Sequence, residues 1–261
     1  FPTRRSSDLF MGETAKVLCP DKKVLVPDMA AGCSLADSCP ADKFAQFVKE
    51  HPGHTVISYV NTTAAVKAVT DVVVTSTNAR QIVESFPEDE KIIFGPDRNL
   101  GNYINSVTGR NMLLWDGACH VHEQFSVEKI VELKQQHPGA VVLAHPECKN
   151  TVLKLADVVG STAALLKYAV AHPEKKYIVA TESGILHEMQ KKCPQTKFIP
   201  APPNDSTCAC NECNFMRLNT LEKLYNCLKD ESPEIKVDAE IAEKAVKPIK
   251  RMLEISAKLG L

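Results

Sequence analysis

Two stretches of the chain decide its fold when they are laid over each other. The first runs TVISYVN (Thr55–Asn61), AVTDVVVTSTNA (Ala68–Ala79), KIIFGPDRNLGNYI (Lys91–Ile104) and NMLLWDG (Asn111–Gly117). The second runs AVVLAHPE (Ala140–Glu147), KLADVVGSTAA (Lys154–Ala164), KYIVATESGILHEM (Lys176–Met189) and KFIPAPP (Lys197–Pro203). Ser76–Thr77 falls on Ser161–Thr162 and Lys91 on Lys176, both at an offset of 85, and Asn111 falls on Lys197 at 86. Three landmarks in one register define an internal repeat. Each copy holds four short Val/Ile-rich runs separated by helical patterns, which read as buried parallel strands joined by helices. Ala41–Glu50 is one such helix, with Phe44, Phe47 and Val48 on its apolar face and a stop at His51-Pro52-Gly53.

A third, incomplete copy stands in front. CPDKKVLVP (Cys19–Pro27) lies over CPQTKFIPA (Cys193–Ala201) at an offset of 174. In that register Pro2–Leu9 should match the strand around Lys176–Ser183, yet PTRRSSDL carries no apolar strand-like run. The expectation is an α/β protein of three αβα domains with small parallel sheets, the first of them incomplete. Residues 1–40 are read as the remnant of the first domain, with 1–9 non-native, completed by C-terminal helices over 214–261. Residues 41–125 are the second domain and 126–213 the third. A chain lacking that segment is expected to be weakly active or inactive until it is restored.

Composition bounds the function. The 261 residues are 44% hydrophobic and 24% charged, with a formal net charge of −1, so no basic excess points to nucleic acid or an anionic membrane. No run of eighteen apolar residues spans a bilayer, and Phe1–Phe10 has no apolar signal core. A cytoplasmic location follows as an expectation, and there the ten cysteines would be reduced thiols, open either to metal binding or to a bland role as small buried apolar groups.

In parallel α/β sheets, ligands sit beyond the carboxyl ends of the strands. After the fourth strand the copies deliver Cys33, Cys119 and the Cys208-Ala209-Cys210-Asn211-Glu212-Cys213 group. One thiolate from each would make a three-cysteine centre suited to zinc, copper(I) or iron–sulfur. With three thiolates on a [4Fe–4S] cluster, one iron stays open as a Lewis acid. After the first strand come Tyr59-Val60-Asn61 and His145-Pro146-Glu147, which are acid/base and hydrogen-bonding groups. After the second come Ser76 with Thr77, and Ser161 with Thr162, which suit a carboxylate or phosphate or equally a plain helix N-cap. The CxC pair Cys208 and Cys210 would suit a regulatory disulfide. His51, His54, His137 and His172 stand in turn-like contexts and read as surface residues, and Cys19 and Cys193 as structural.

FMGETAKVL (Phe10–Leu18), PDMAAGCSLADSC (Pro27–Cys39), YVNTTAAVKAVTDVVVTSTNA (Tyr59–Ala79), WDGACHVHE (Trp115–Glu123), HPEC (His145–Cys148), ADVVGSTAA (Ala156–Ala164) and MRLNTL (Met216–Leu221) after Cys213 together resemble the quinolinate synthase family from about Phe10 to the end. The resemblance implies three pseudo-threefold-related domains around a central [4Fe–4S] cluster. It implies condensation of iminoaspartate with dihydroxyacetone phosphate to quinolinate, in NAD biosynthesis and coupled to L-aspartate oxidase. It implies cluster ligands Cys33, Cys119 and Cys213, although the family often shows CxxCxxC where this chain has CxCxxC. It further implies Tyr59 and Glu147 as proton-transfer groups, His145 and Asn61 as substrate-positioning groups, and Ser76, Ser161 and Thr162 as carboxylate or phosphate binders. The alternatives are another open-cluster hydro-lyase acting on a dicarboxylate, and a non-catalytic zinc or thiolate scaffold, which would want a fourth protein ligand.

Overall fold

A computed structural model of the protein describes residues 3–5, 8–205 and 212–261. In chain order the elements begin with β1 (Thr3–Arg5), α1 (Leu9–Leu18), β2 (Lys23–Leu25), α2 (Ser34–Asp37) and α3 (Ala41–Glu50). The first repeat supplies β3 (Thr55–Tyr59), α4 (Ala64–Lys67), β4 (Val72–Val74), α5 (Ala79–Glu84), β5 (Ile92–Phe94), α6 (Arg98–Thr108) and β6 (Leu113–Leu114). The second follows α7 (His120–Glu123) and α8 (Val127–Gln136). It supplies β7 (Val141–Ala144), α9 (Asn150–Leu153), β8 (Val158–Val159), α10 (Thr162–Ala171), β9 (Tyr177–Ala180), α11 (Ile185–Lys192) and β10 (Phe198–Pro200). After a 3₁₀ turn at Met216–Leu218 come α12 (Leu221–Asp230) and α13 (Ala239–Leu259).

The chain forms two compact units: Phe1–Gly117 with Asn214–Leu261, and Ala118–Cys213. Each contains one four-stranded parallel sheet, ordered β4-β3-β5-β6 in the first and β8-β7-β9-β10 in the second. The repeat therefore holds down to strand order. It also holds in detail. Asp71 Oδ2 accepts from Val56 N–H at 2.8 Å, and Asp157 Oδ2 accepts from Val142 N–H at 2.8 Å. In both copies this aspartate, just before the second strand, locks the start of the first.

The short strands are buried because both sheet faces are covered. In the second unit Val142, Ala144, Ile178 and Ala180 pack with Ile130 of α8 and Val152 of α9. Their strand neighbours Leu143, Tyr177 and Val179 pack on the other face with Leu165 and Ala169 of α10 and Met189 of α11. Period-two alternation sends successive side chains to opposite faces, and apolar residues at every position suit a sheet buried on both. In the first unit Val56 and Ile93 meet Phe44 of α3, while Val73 meets Ala245 and Ile249 of α13.

Cys19 closes α1 at φ −133°, ψ 67°, and Cys193 closes α11 at φ −129°, ψ 73°. One expectation is corrected: Thr3–Arg5 pairs parallel with β2, with Thr3 opposite Lys23. A strand edge offers unpaired backbone groups that an extended segment satisfies without an apolar sequence.

Lys67 is the one lysine whose side chain is fully buried among the described residues. Burial pulls its pKa from the ordinary 10.5 down to about 7, with Glu13 opposing. Between those values the unfolded chain holds a proton there that the folded chain does not, so this contribution to stability grows as pH rises through the window and is lost as pH falls to about 7. In urea unfolding, the unaltered protein should therefore gain on Lys67→Met as pH is raised across that window. A difference independent of pH would contradict it.

Candidate active site

The second unit gathers one buried polar group at the ends of its strands. Cys119 sits at the N-cap position of α7, and His122 lies three residues on, so one helical turn brings the two together. Glu147 comes from the loop after β7. One ligand atom from each of Cys119, His122 and Glu147 lies within 4.8 Å of the others. Glu147 is 3% exposed and His122 6%.

His122 Nδ1 stands 3.1 Å from Glu147 Oε2, as a charge pair. Its Nε2 lies 3.0 Å from Thr181 Oγ1, in the loop that follows β9. Burial disfavours the charged ring, but Cys119 and Glu147 outweigh burial and hold its pKa well above the ordinary imidazole value. His145 stacks on His122 with ring centroids 4.9 Å apart. Burial lowers the His145 pKa to about 4; Glu147 opposes that shift and His122 adds to it. His145 Nδ1 accepts a hydrogen bond from the Glu147 N–H at 3.3 Å, which requires an unprotonated Nδ1. Of two stacked imidazoles, then, His122 carries the proton and His145 is neutral. Environments that push neighbouring pKa values apart mark an acid/base site.

The other predicted residues fall as follows. Tyr59, buried, ends β3, and Asn61 is half-buried in the loop after it. Ser76 lies in the turn after β4 and does not cap α5, whose N-cap position is Asn78. Ser161 is the N-cap of α10 and accepts from Ala164 N–H at 3.3 Å, so the capping function is real there; its O–H remains available to donate. Thr162 is exposed in the first turn of that helix. Cys33, half-buried at the N-cap position of α2, belongs to the first unit; Cys119 and Cys213, also half-buried, belong to the second. Cys213 N–H donates to Glu182 Oε1 at 3.3 Å. Cys208 and Cys210 lie outside the described residues.

Cysteine burial sorts the thiols. Cys39, Cys148, Cys193 and Cys227 are buried. Burial pushes Cys39 and Cys148 up to about 12, and Cys148 Sγ donates to the Ala180 carbonyl at 3.3 Å. A metal wants the thiolate, so these two are poor ligands. Cys33, Cys119 and Cys213 each follow a last strand and are half-buried, which fits thiolate ligation of a cluster. His122 is not among the residues expected from the sequence; its signal there is the i, i+3 spacing after Cys119 at a helix start.

Fold and site together define a parallel α/β protein with a half-buried thiol beside a buried imidazole and a buried carboxylate. The model of the Quinolinate synthetase A protein family matches residues 8–254, which brings Asp8 and Leu9, expected to be non-native, inside the match. Curated relatives named quinolinate synthase are similar over 95% of this chain: that of Thermosynechococcus vestitus is 58% identical over 247 residues and 77% of its own length. That of Synechococcus sp. is 56% identical, over 78% of its length, and that of Chloroherpeton thalassium 56% identical, over 77%. The chain belongs to the quinolinate synthase family. No helix among the described residues is long and apolar enough to cross a membrane.

Proposed function

We propose that the protein condenses iminoaspartate with dihydroxyacetone phosphate to give quinolinate, with loss of phosphate and two waters, as a step of NAD biosynthesis in the cytoplasm. L-aspartate oxidase would supply the labile imine. Family membership supports this, and the observation that carries it within this chain is the buried Cys119–His122–Glu147 group with its unequal histidines.

Cys33, Cys119 and Cys213 would hold a [4Fe–4S] cluster. When bound, that cluster supplies an open iron, a Lewis acid for a carboxylate- and hydroxyl-bearing substrate. The remaining chemistry belongs to side chains. Glu147 takes a proton from carbon or nitrogen and passes it on, with His122 as its charged partner. Neutral His145 and Asn61 orient the substrate, and the phenol of Tyr59 serves as a second proton-transfer group. Hydroxyls of Ser76, Ser161 and Thr162 donate to carboxylate or phosphate oxygens.

The test is product analysis. The protein extended to the full length of its curated relatives, purified anaerobically and given iminoaspartate generated in situ and dihydroxyacetone phosphate, should form pyridine-2,3-dicarboxylate and inorganic phosphate in equal amounts. Dehydration of some other dicarboxylate without that product would favour a different hydro-lyase.

A further inference from the structure

The repeat exposes an anomaly at Lys67. The second copy places α9 where the first has α4, and the strand pairs that flank them, Ile57 with Val72 and Leu143 with Val158, share an offset of 86. By that offset Lys67 falls on Leu153, which packs against the core of the second unit. The fold at this position is thus satisfied by leucine, yet the first copy buries an amino group at 0% exposure. Burying a lysine costs free energy that leucine does not.

What the amino group meets is the loop after β3. Lys67 Nζ donates to the Val60 carbonyl at 2.8 Å and also to the Thr62 carbonyl. The same loop is tightened by Thr62 Oγ1 donating to the Tyr59 carbonyl at 2.8 Å and Thr62 N–H donating to the Val60 carbonyl at 2.8 Å. The carbonyls on either side of Asn61 are therefore turned toward one internal donor. Glu13 of α1 stands behind: its Oε2 accepts from Ala64 N–H at 2.7 Å, holding the first residue of α4.

We propose that Lys67 is a positioning residue, whose buried amino group draws in the Val60 and Thr62 carbonyls and so fixes the loop that presents Tyr59 and Asn61. The proposal rests on the reading that this loop meets substrate, and its test separates the two. Amide hydrogen exchange by mass spectrometry is compared among the unaltered protein, Lys67→Met and Lys67→Leu, the latter being the residue of the second copy. Exchange across residues 59–63 should speed at least about tenfold in both variants, while β4, β5 and α13 stay within about twofold. In the same preparations the Kd for pyridine-2,3-dicarboxylate should weaken about tenfold, and kcat should fall at least about tenfold, as displaced catalytic groups require. Unchanged loop protection would overturn the proposal. So would a loosened loop that leaves binding and turnover intact in a protein whose unaltered form is active. Failure of both variants to fold, or faster exchange throughout the first unit, would also overturn it, since the amino group would then hold the domain rather than the loop. If the unaltered protein neither binds nor forms the pyridine product while the loop still loosens on substitution, the clamp stands and the reading of the loop as a substrate loop fails.

Discussion

Glu147→Gln should keep its fold and lose about 100- to 10,000-fold in kcat for quinolinate formation, the usual cost of removing a positioned acid/base group. Glutamine matches the shape of glutamate, so the packing around a side chain only 3% exposed is preserved. The change removes the proton acceptor and, with it, the Glu147 charge that helps raise the His122 pKa. Because Glu147 N–H still donates to His145 Nδ1 from the backbone, His145 should keep its orientation. The comparison is steady-state kinetics of both proteins with matched iron content. Retention of activity within about threefold would remove Glu147 from the chemistry, since acid/base groups rarely contribute so little.

Replacing Cys33, Cys119 or Cys213 singly by serine should drop bound iron from about four per chain to below about one, because a cluster deprived of one of three thiolates is no longer held. Cys148→Ser should retain full iron. Cys148 follows Glu147 directly in the loop that carries His145, but its thiol is fully buried and already spent on the Ala180 carbonyl. Iron assay after anaerobic reconstitution distinguishes the four variants. Loss of iron from Cys148→Ser alone would mean that burial has been misjudged as a guide to which thiols ligate.

Much of this was legible in the sequence, for physical reasons that differ by element. The two four-stranded sheets could be read because strands buried on both faces need unbroken apolar runs such as Val72–Val74 and Tyr177–Ala180, and the repeat doubled each signal. The helix at Ala41–Glu50 was fixed by its apolar period and its His-Pro-Gly stop. Thr3–Arg5 was not legible, since its pairing is a backbone matter that its polar side chains do not announce. Tyr59, His145 and Glu147 stood out as candidates because polar residues at or just after the ends of buried strands are costly unless used. His122 did not, because its place depends on the phase of a four-residue helix, α7. Lys67 was hidden for the opposite reason: a lysine in a helix pattern reads as solvent-facing, and only tertiary packing around α4 buries it. Ser161 remained ambiguous between cap and ligand, and the structure gives it the cap while leaving its hydroxyl proton free to serve a substrate.

Cys33, Cys119 and Cys213 are proposed as the thiolate ligands of an open iron–sulfur centre. The most direct measurement is iron and acid-labile sulfide per chain after anaerobic purification and reconstitution. About four of each is the predicted result; no bound iron, or one zinc in its place, would contradict it.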